Sequence, residues 1–186
     1  MVYFCVDCEA SGPVPPLYNL LSIGVTVVHA RPDEHELGAS FYVELKPIFP
    51  GFDPGAMKVC GLNADRLSRE GTEPREALER LSRFVLEEND GSSDKPCFVG
   101  HNAVFDWSHI AYYYVHFGMD NPFGYKGLDT KSLAMGRLGI AWGDTSKENL
   151  ERVLQLPQQD SSQNHRADYD AHYQALILKA LLDRRS

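Results

Sequence analysis

The sequence predicts an α/β protein, a mixed five-stranded sheet flanked by helices on both faces. Three observations carry that reading. Three runs rich in Val, Ile, Leu, Phe and Tyr come first in the chain. The apolar period then switches to the 3- and 4-residue spacing of a helix. Short apolar runs afterwards alternate with helical stretches, an order that lays strands between helices in one layered unit.

Val2 to Val6 is a short apolar run that ends abruptly in Asp7-Cys8-Glu9, as a buried central strand does when it delivers polar groups to its carboxyl edge. Ser11 to Pro16 carries one Gly and three Pro, so the chain leaves the strand as a rigid loop. Leu20 to Val28 and Ser40 to Leu45, separated by Pro32 and Gly38, give two further strands in a meander. Pro74 to Glu88 places Ala77, Leu78, Leu81, Phe84 and Val85 on one face with charges between them, the pattern of an amphipathic helix. Asn89 to Pro96 is a polar break, Cys97 to Gly100 a short strand, and Ala103 to Phe117 a second helix. Leu128 to Thr130 leads into a third helix near Lys131 to Arg137, and a shorter helical stretch lies around Lys147 to Leu154. The polar segment Gln155 to Asn164 reads as a mobile loop, and a last helix runs from about Ala167 to Leu182. No repeat, linker or second domain interrupts this order, so residues 1–186 are expected to form a single domain.

The composition excludes several classes. The chain has 26 Asp and Glu against 18 Lys and Arg, a formal charge of −8, with 43% apolar and 24% charged residues. That balance fits neither a disordered chain, nor a collagen-like repeat, nor a basic module that coats nucleic acid. Cys5, Cys8, Cys60 and Cys97 read as reduced thiols. Cys5 lies inside a strand-like run where a thioredoxin-type pair would open a helix, and Cys60 and Cys97 lack the near partners of a zinc site. The N-terminus has no basic region and meets Asp7 after six residues. No apolar run approaches the ~18 residues of a membrane span. A cytoplasmic protein without membrane contact is expected.

Three short constellations carry the chemistry. In Asp7-Cys8-Glu9, residues two apart on a strand share a face, so both carboxylates address one point beyond the sheet edge. In Gly100-His101-Asn102-Ala103-Val104-Phe105-Asp106, a strand ends and a helix places Asp106 about one turn in. In His165-Arg166-Ala167-Asp168-Tyr169-Asp170, a loop supplies His165 and the first turn of the last helix supplies Asp170. Four carboxylates and one imidazole thus converge on the crevice expected at strand carboxyl ends. Unpaired carboxylates held close repel one another, and hard oxygen ligands at a shared site suit Mg²⁺ or Mn²⁺. Two such ions would halve the formal charge of −8, so the acidic balance leaves a nucleic-acid substrate open.

The order D-x-E, G-H-N-A-x-F-D, H-x-A-x-x-D resembles the DEDDh 3′→5′ exonuclease family, which includes polymerase proofreading subunits, RNase T and oligoribonuclease. Ser22-Ile23-Gly24 and Leu128-Asp129-Thr130 are similar to further features of that family, and the likeness covers nearly the whole chain. The resemblance implies an RNase H-like fold and two divalent metal ions, Mg²⁺ or Mn²⁺. Asp7 would bridge both ions, Glu9 and Asp170 would complete the shell of the first ion, and Asp106 would hold the second ion, mostly through water. His165 would be the general base, an imidazole on a loop that substrate can order. The implied reaction is hydrolysis of the terminal phosphodiester at the 3′ end of single-stranded DNA or RNA, with release of nucleoside 5′-monophosphates. The resemblance further implies that backbone groups near Ala10 and Ser11 hold the terminal 3′-hydroxyl and that Asn102 lines the same pocket.

The chain departs from the family where D-x-E-T-T-G would stand: Ala10-Ser11-Gly12 follows Glu9, and a proline loop comes next. Leu17 and Tyr18 on that loop either wedge against the last bases or anchor the loop to the core; Phe52 and Met57 form a second candidate rim. Trp107 and the run Tyr112-Tyr113-Tyr114 read as packing residues, and Asp168 as a solvated acid. His101, His109 and His116 are not expected to be ligands, and Asp129 either caps the helix after it or supports Asp106. Lys131 and Arg166 are candidate phosphate contacts. Two other readings stand beside a general exonuclease: an oligoribonuclease-like hydrolase of short RNA, and a catalytically weakened module that binds nucleic-acid ends. A small-molecule phosphatase would need a basic pocket that the sequence does not display. A homodimer of the kind several family members form is compatible with the apolar faces of the middle helices.

Overall fold

In the computed structural model, residues 1–184 are described; positions 185 and 186 of the expected domain lie outside the described residues. The sheet is built from β1 (Val2–Ala10), β2 (Leu20–His29), β3 (Glu36–Glu44), β4 (Cys97–Gly100) and β5 (Gly127–Asp129), in the order β3-β2-β1-β4-β5. The meander β1-β2-β3 is antiparallel, and β4 and β5 add parallel strands beside β1. The helices are α1 (Pro54–Cys60), α2 (Ala64–Glu70), α3 (Pro74–Glu88), α4 (Val104–His116), α5 (Thr130–Leu138), α6 (Lys147–Leu154) and α7 (Ala167–Asp183), with a 3₁₀ turn at Trp142–Asp144.

Strand alternation decides what each face does. Phe4, Val6 and Cys8 of β1 enter one core with Leu78, Leu81 and Val85 of α3 and Ile110 and Tyr113 of α4. Tyr3 and Cys5 point the other way, into a second cluster with Ala175 and Leu178 of α7. Asp7 and Glu9 continue that second series, so they face the side on which α7 lies. The aromatic residues of α4 pack as expected: Tyr113 and Tyr114 are fully buried, Trp107 lies edge-on to Phe98, and the Tyr113 hydroxyl accepts from the Leu20 amide at 2.9 Å.

The first strand carries Asp7-Cys8-Glu9 at its end, as expected, and runs on to Ala10, because β2 offers partners all along it: Asp7 pairs with Gly24, Cys8 with Ile23 and Glu9 with Ser22, before the register shifts at Ala10. The acidic pair is therefore held in a ladder. One difference from the sequence reading is that Pro54–Cys60 and Ala64–Glu70 are helices where none was expected. Each spans 7 residues, too short to show a periodic apolar face, but both carry end signals. Asp53 caps the first, with Pro54 at its first position and Gly61 left-handed after it; Asn63 caps the second.

Gly24 fixes how close α7 comes. A Cβ at this position would lie 2.0 Å from the Ala167 carbonyl oxygen and 2.5 Å from the Asp168 nitrogen, both backbone atoms that cannot rotate aside. Because Gly24 is the ladder partner of Asp7, the first turn of α7 is pressed against β2 beside that carboxylate. Gly24→Ala should therefore lift the start of α7. Its expected cost is about 3 kcal/mol, read as a lowered urea midpoint, together with a loss of activity larger than that from a control such as Gly136→Ala, where the added Cβ meets nothing within 4 Å.

Candidate active site

At the carboxyl ends of β1 and β4 lies an open crevice of about 440 Å³. β1 brings Asp7, Glu9 and Ala10 to it; the turn after β4 brings His101 and Asn102; α4 brings Phe105 and Asp106. His165 and Asp170 arrive from the loop before α7 and its first turn, and Lys147 from the first turn of α6.

Three carboxylates form the tightest group. One oxygen from each of Asp7, Glu9 and Asp170 lies within 4.8 Å of the others. Asp106 stands beside them rather than in that group, with Oδ1 accepting from the Cys8 amide at 2.8 Å and the residue 4% exposed. Each acid has a local reason for its place. Gln174, one helical turn after Asp170, donates its amide to Asp7 Oδ1. Asp170 Oδ2 accepts from the His165 amide at 2.8 Å, and its Oδ1 pairs with the Lys147 ammonium. Lys147 Nζ is also 3.8 Å from Asp7 Oδ1.

The backbone around the site is tied by capping. Asp129 Oδ1 accepts from the Ser132 amide at 2.7 Å and so caps α5, while its Oδ2 accepts from the amides of Asn102 and Ala103 at 2.9 Å each. One carboxylate thus grips the turn that opens α4, with Asn102 held left-handed at φ 72°. Of the two roles considered for Asp129, the structure shows the cap, extended to a second helix start.

Burial and like charge act on these acids together. Burial pushes the Asp7 carboxyl up to about 7, with Asp170 adding to the rise and Lys147 and Gln174 opposing it. Burial, then Asp7 and Asp170, push Glu9 up to about 9. Asp106 is held well above the usual carboxylate range by burial and by Asp7. Burial alone would lower the Lys147 ammonium, but Asp7 and Asp170 hold it above its ordinary value. Burial, with Lys147 and Lys131 nearby, pushes His101 down to about 4, so its ring is neutral; Nδ1 lies 2.8 Å from the Thr130 hydroxyl. An all-oxygen set in which burial and like charge raise Asp7, Glu9 and Asp106 above the ordinary carboxylate range is chemically suited to a hard divalent cation.

Family comparison agrees with this geometry. A family model described as exonuclease, of the RNase T type, matches residues 4–178. The chain belongs to that exonuclease family. A relative from Escherichia coli, named 3′-5′ DNA exonuclease Cap18, is 36% identical over 188 residues, covering 100% of this chain and 93% of that protein. The nuclease domain of 3′hExo, a DEDDh family member bound to rAMP, superposes with a TM-score of 0.80 at 13% identity, covering 97% of this chain and 91% of that chain. Exonuclease I from E. coli, in complex with a dT13 oligonucleotide, gives 0.72 at 19% identity, over 96% of this chain and 40% of that one. The RNase H-like fold expected from the motifs is the fold observed, and the chain is a 3′→5′ exonuclease of the DEDDh type.

The structure brings Asp7, Glu9, Asp106, His165 and Asp170 of this exonuclease to one crevice, and Ala10 and Asn102 with them. It does not bring Ser11, Leu17 or Tyr18 there. Ser11 is fully buried, its amide donating to the Asn19 carbonyl and its own carbonyl accepting from the Asp53 amide. Its hydroxyl donates to the Gly51 carbonyl at 2.7 Å and accepts from the Asn19 amide at 2.8 Å. No group of Ser11 is left for a 3′-hydroxyl. This clamp draws the proline loop toward Gly51, so the Tyr18 ring covers Gly12 and, with Leu17, Pro16, Pro50 and Gly51, borders a separate hollow. Tyr18 is an anchor of the loop, and Leu17 is 66% exposed outside the crevice. Met57 packs with Leu21, Cys60 and Leu67; the α1 residues on the crevice are Ala56 and Val59.

Other expectations also change. Arg166 is paired with Asp168 at 2.8 Å and with Gln163 at 2.9 Å, and Lys131 lies 4.8 Å over the Trp142 ring, so both candidate phosphate contacts are already engaged. Asp168 is correspondingly an ion-pair partner. The segment 155–164 has no helix or strand but is pinned: the Gln159 amide donates to Glu151, the Asp160 amide to the Tyr169 hydroxyl, and the Tyr173 hydroxyl to the Pro157 carbonyl. Sequence reasoning missed Lys147, which no motif marks, and Gln174, whose spacing of four from Asp170 on one helix was the available signal.

The raised carboxyls set a pH dependence. Glu9 titrates near 4.5 when unfolded and about 9 when folded, so the folded protein binds the extra proton and its stability falls as pH rises across that window. In EDTA the Tm should drop by several degrees between pH 5 and 9, and Mg²⁺ or Mn²⁺ should flatten the slope. Glu9→Gln should remove much of that slope; a melt in which it is unchanged would refute the assignment.

Proposed function

We propose that this exonuclease removes nucleotides one at a time from the 3′ end of single-stranded nucleic acid, releasing nucleoside 5′-monophosphates, with two divalent ions, Mg²⁺ or Mn²⁺, as cofactors. The observation that carries the proposal is the meeting of three carboxylate oxygens within 4.8 Å with His165 on the same crevice. The relative at 36% identity is named as a DNA exonuclease and is nearly the same length, which favours DNA over RNA.

Asp7, Glu9 and Asp170 would hold one ion, and Asp106, with Asp7 between, would serve the other. Bound divalent ions supply the Lewis-acid charge that in-line displacement at phosphorus requires. The chain's own groups do the rest. His165 takes a proton from the attacking water at a ring nitrogen. As the new oxygen–phosphorus bond forms, the bond to the penultimate 3′-oxygen breaks, and that oxygen leaves protonated by solvent. Asp170 sets where the imidazole starts, because its Oδ2 holds the His165 amide. His165 sits at φ 64°, a left-handed turn that carries the ring out of the helix line and toward the crevice. Ala10, Asn102, Phe105 and the α1 residues Ala56 and Val59 give the terminal nucleotide a wall of mixed polarity.

A time course with 5′-labelled single-stranded DNA and RNA of matched sequence, in Mg²⁺, Mn²⁺ or EDTA, tests the reading. Shortening from the 3′ end only with metal, faster on DNA, is expected; products confined to RNA of a few nucleotides would favour an oligoribonuclease. Folded protein that cleaves neither would leave an end-binding module. Asp7→Asn should abolish turnover in a folded protein. His165→Ala should lower kcat by about 10²–10⁴-fold while leaving Mn²⁺ affinity near wild type; equal loss of metal binding would reassign the residue.

A further inference from the structure

Lys147 is the one cation within ion-pair distance of the acidic group among the described residues, and the exonuclease motifs do not include it. Its ammonium pairs with Asp170 Oδ1 and lies 3.8 Å from Asp7 Oδ1. Those two residues belong to the three whose oxygens cluster within 4.8 Å. The ammonium therefore stands among the oxygens that a divalent ion would need.

The backbone under Lys147 is fixed. Ser146 caps α6 by accepting from the Asn149 amide, the Thr145 hydroxyl donates to the Trp142 carbonyl at 2.7 Å, and Leu150 is buried against Tyr173 and Ile177 of α7. The side chain is not fixed in the same way. It is 18% exposed and borders the open crevice, and four methylenes link the ammonium to the helix. The charge can leave while the helix stays.

We propose that Lys147 is a resident counter-cation of the acidic cluster, which keeps the acids assembled without metal and is displaced when a divalent ion binds. The inference rests on the reading of Asp7, Glu9 and Asp170 as metal ligands. A divalent ion draws carboxylate oxygens to about 2.1–2.6 Å, and an ammonium kept on Asp170 Oδ1 would then stand about 4–5 Å from it, where the two positive charges repel. Metal loading is then an exchange of one cation for another. Lys147 acts through the ligands and is a positioning residue; it lowers the net affinity for metal while preventing the acids from pushing one another apart.

The exchange has a signature that a purely structural ion pair lacks. Removing the ammonium should weaken the metal-free protein and strengthen metal binding at the same time. Calorimetric titration of the EDTA-stripped full chain with MnCl₂ should give Lys147→Met and Lys147→Gln an affinity about tenfold tighter than wild type. Their metal-free Tm should be lower, and the rise in Tm on adding Mn²⁺ larger. Lys147→Gln keeps a hydrogen-bonding head and serves if Lys147→Met does not fold. Equal or weaker Mn²⁺ binding in the folded variant would overturn the proposal, since Lys147 would then stay paired in the loaded site. Asp7→Asn separates the two readings. If it binds Mn²⁺ as wild type does, or if wild type binds none, the metal-site reading fails and the exchange with it. If Asp7→Asn abolishes binding and the Lys147 variants bind no tighter than wild type, the exchange alone fails.

Discussion

The contact on which the site depends is the one between Gly24 and the start of α7. With no side chain at Gly24, the Ala167 carbonyl rests directly on β2 beside the ladder partner of Asp7. Everything that α7 contributes follows from that approach. Asp170 reaches the carboxylates of β1, its Oδ2 takes the His165 amide, and Gln174, a turn later, reaches Asp7. Backbone against backbone is a stiffer stop than packed side chains, because no rotamer can relieve it. The distance between two acids far apart in sequence is thus set by main chain at both ends.

Bringing those acids together works against folding, and the surrounding structure shows how the conflict is contained. Each carboxylate is neutralised only in part: Asp7 by Gln174, Asp106 by the Cys8 amide, Asp170 by Lys147 and the His165 amide. Glu9 receives no such donor in the hydrogen bonds seen among the described residues, and it is the acid for which burial and neighbouring charge reach about 9. A site that left every oxygen satisfied would have no affinity to offer a cation. The unsatisfied remainder is the part of the structure that a bound ion would stabilise, so stability and metal binding draw on the same oxygens.

Much of this was legible in the sequence because its causes are local. Asp7 and Glu9 share a face by strand alternation, and Asp106 lies one turn into a helix whose start is marked by Gly100 to Ala103. The ends of α3, β4 and α6 coincide with the periodic runs that define them. The readings that failed depend on contacts between distant segments. Ser11 is consumed by Asn19 and Gly51, 8 and 40 residues away in sequence. Tyr18 is turned away from the crevice by the same clamp. Lys147 becomes part of the site only because α6 packs on α7, 23 residues from its partner Asp170. The short helices α1 and α2 hold too few residues for a period to appear, and only their caps announce them.

The crevice also constrains how a polyanion is held. Two cations that its motifs suggested, Arg166 and Lys131, are already engaged by Asp168 and Trp142, and Lys147 is turned inward on the acids. A phosphate chain approaching a protein of charge −8 gains little long-range attraction from such an arrangement. On the proposed reading, attraction would be short-ranged, from cations at the acids and from contact of the terminal nucleotide with Phe105, Val59 and Asn102 on the crevice wall. Such a site would grip an end where metal, sugar and base can all be reached together. It offers little hold on a continuous backbone, which has the phosphates but not the terminus, and this is the discrimination that an enzyme confined to chain ends requires.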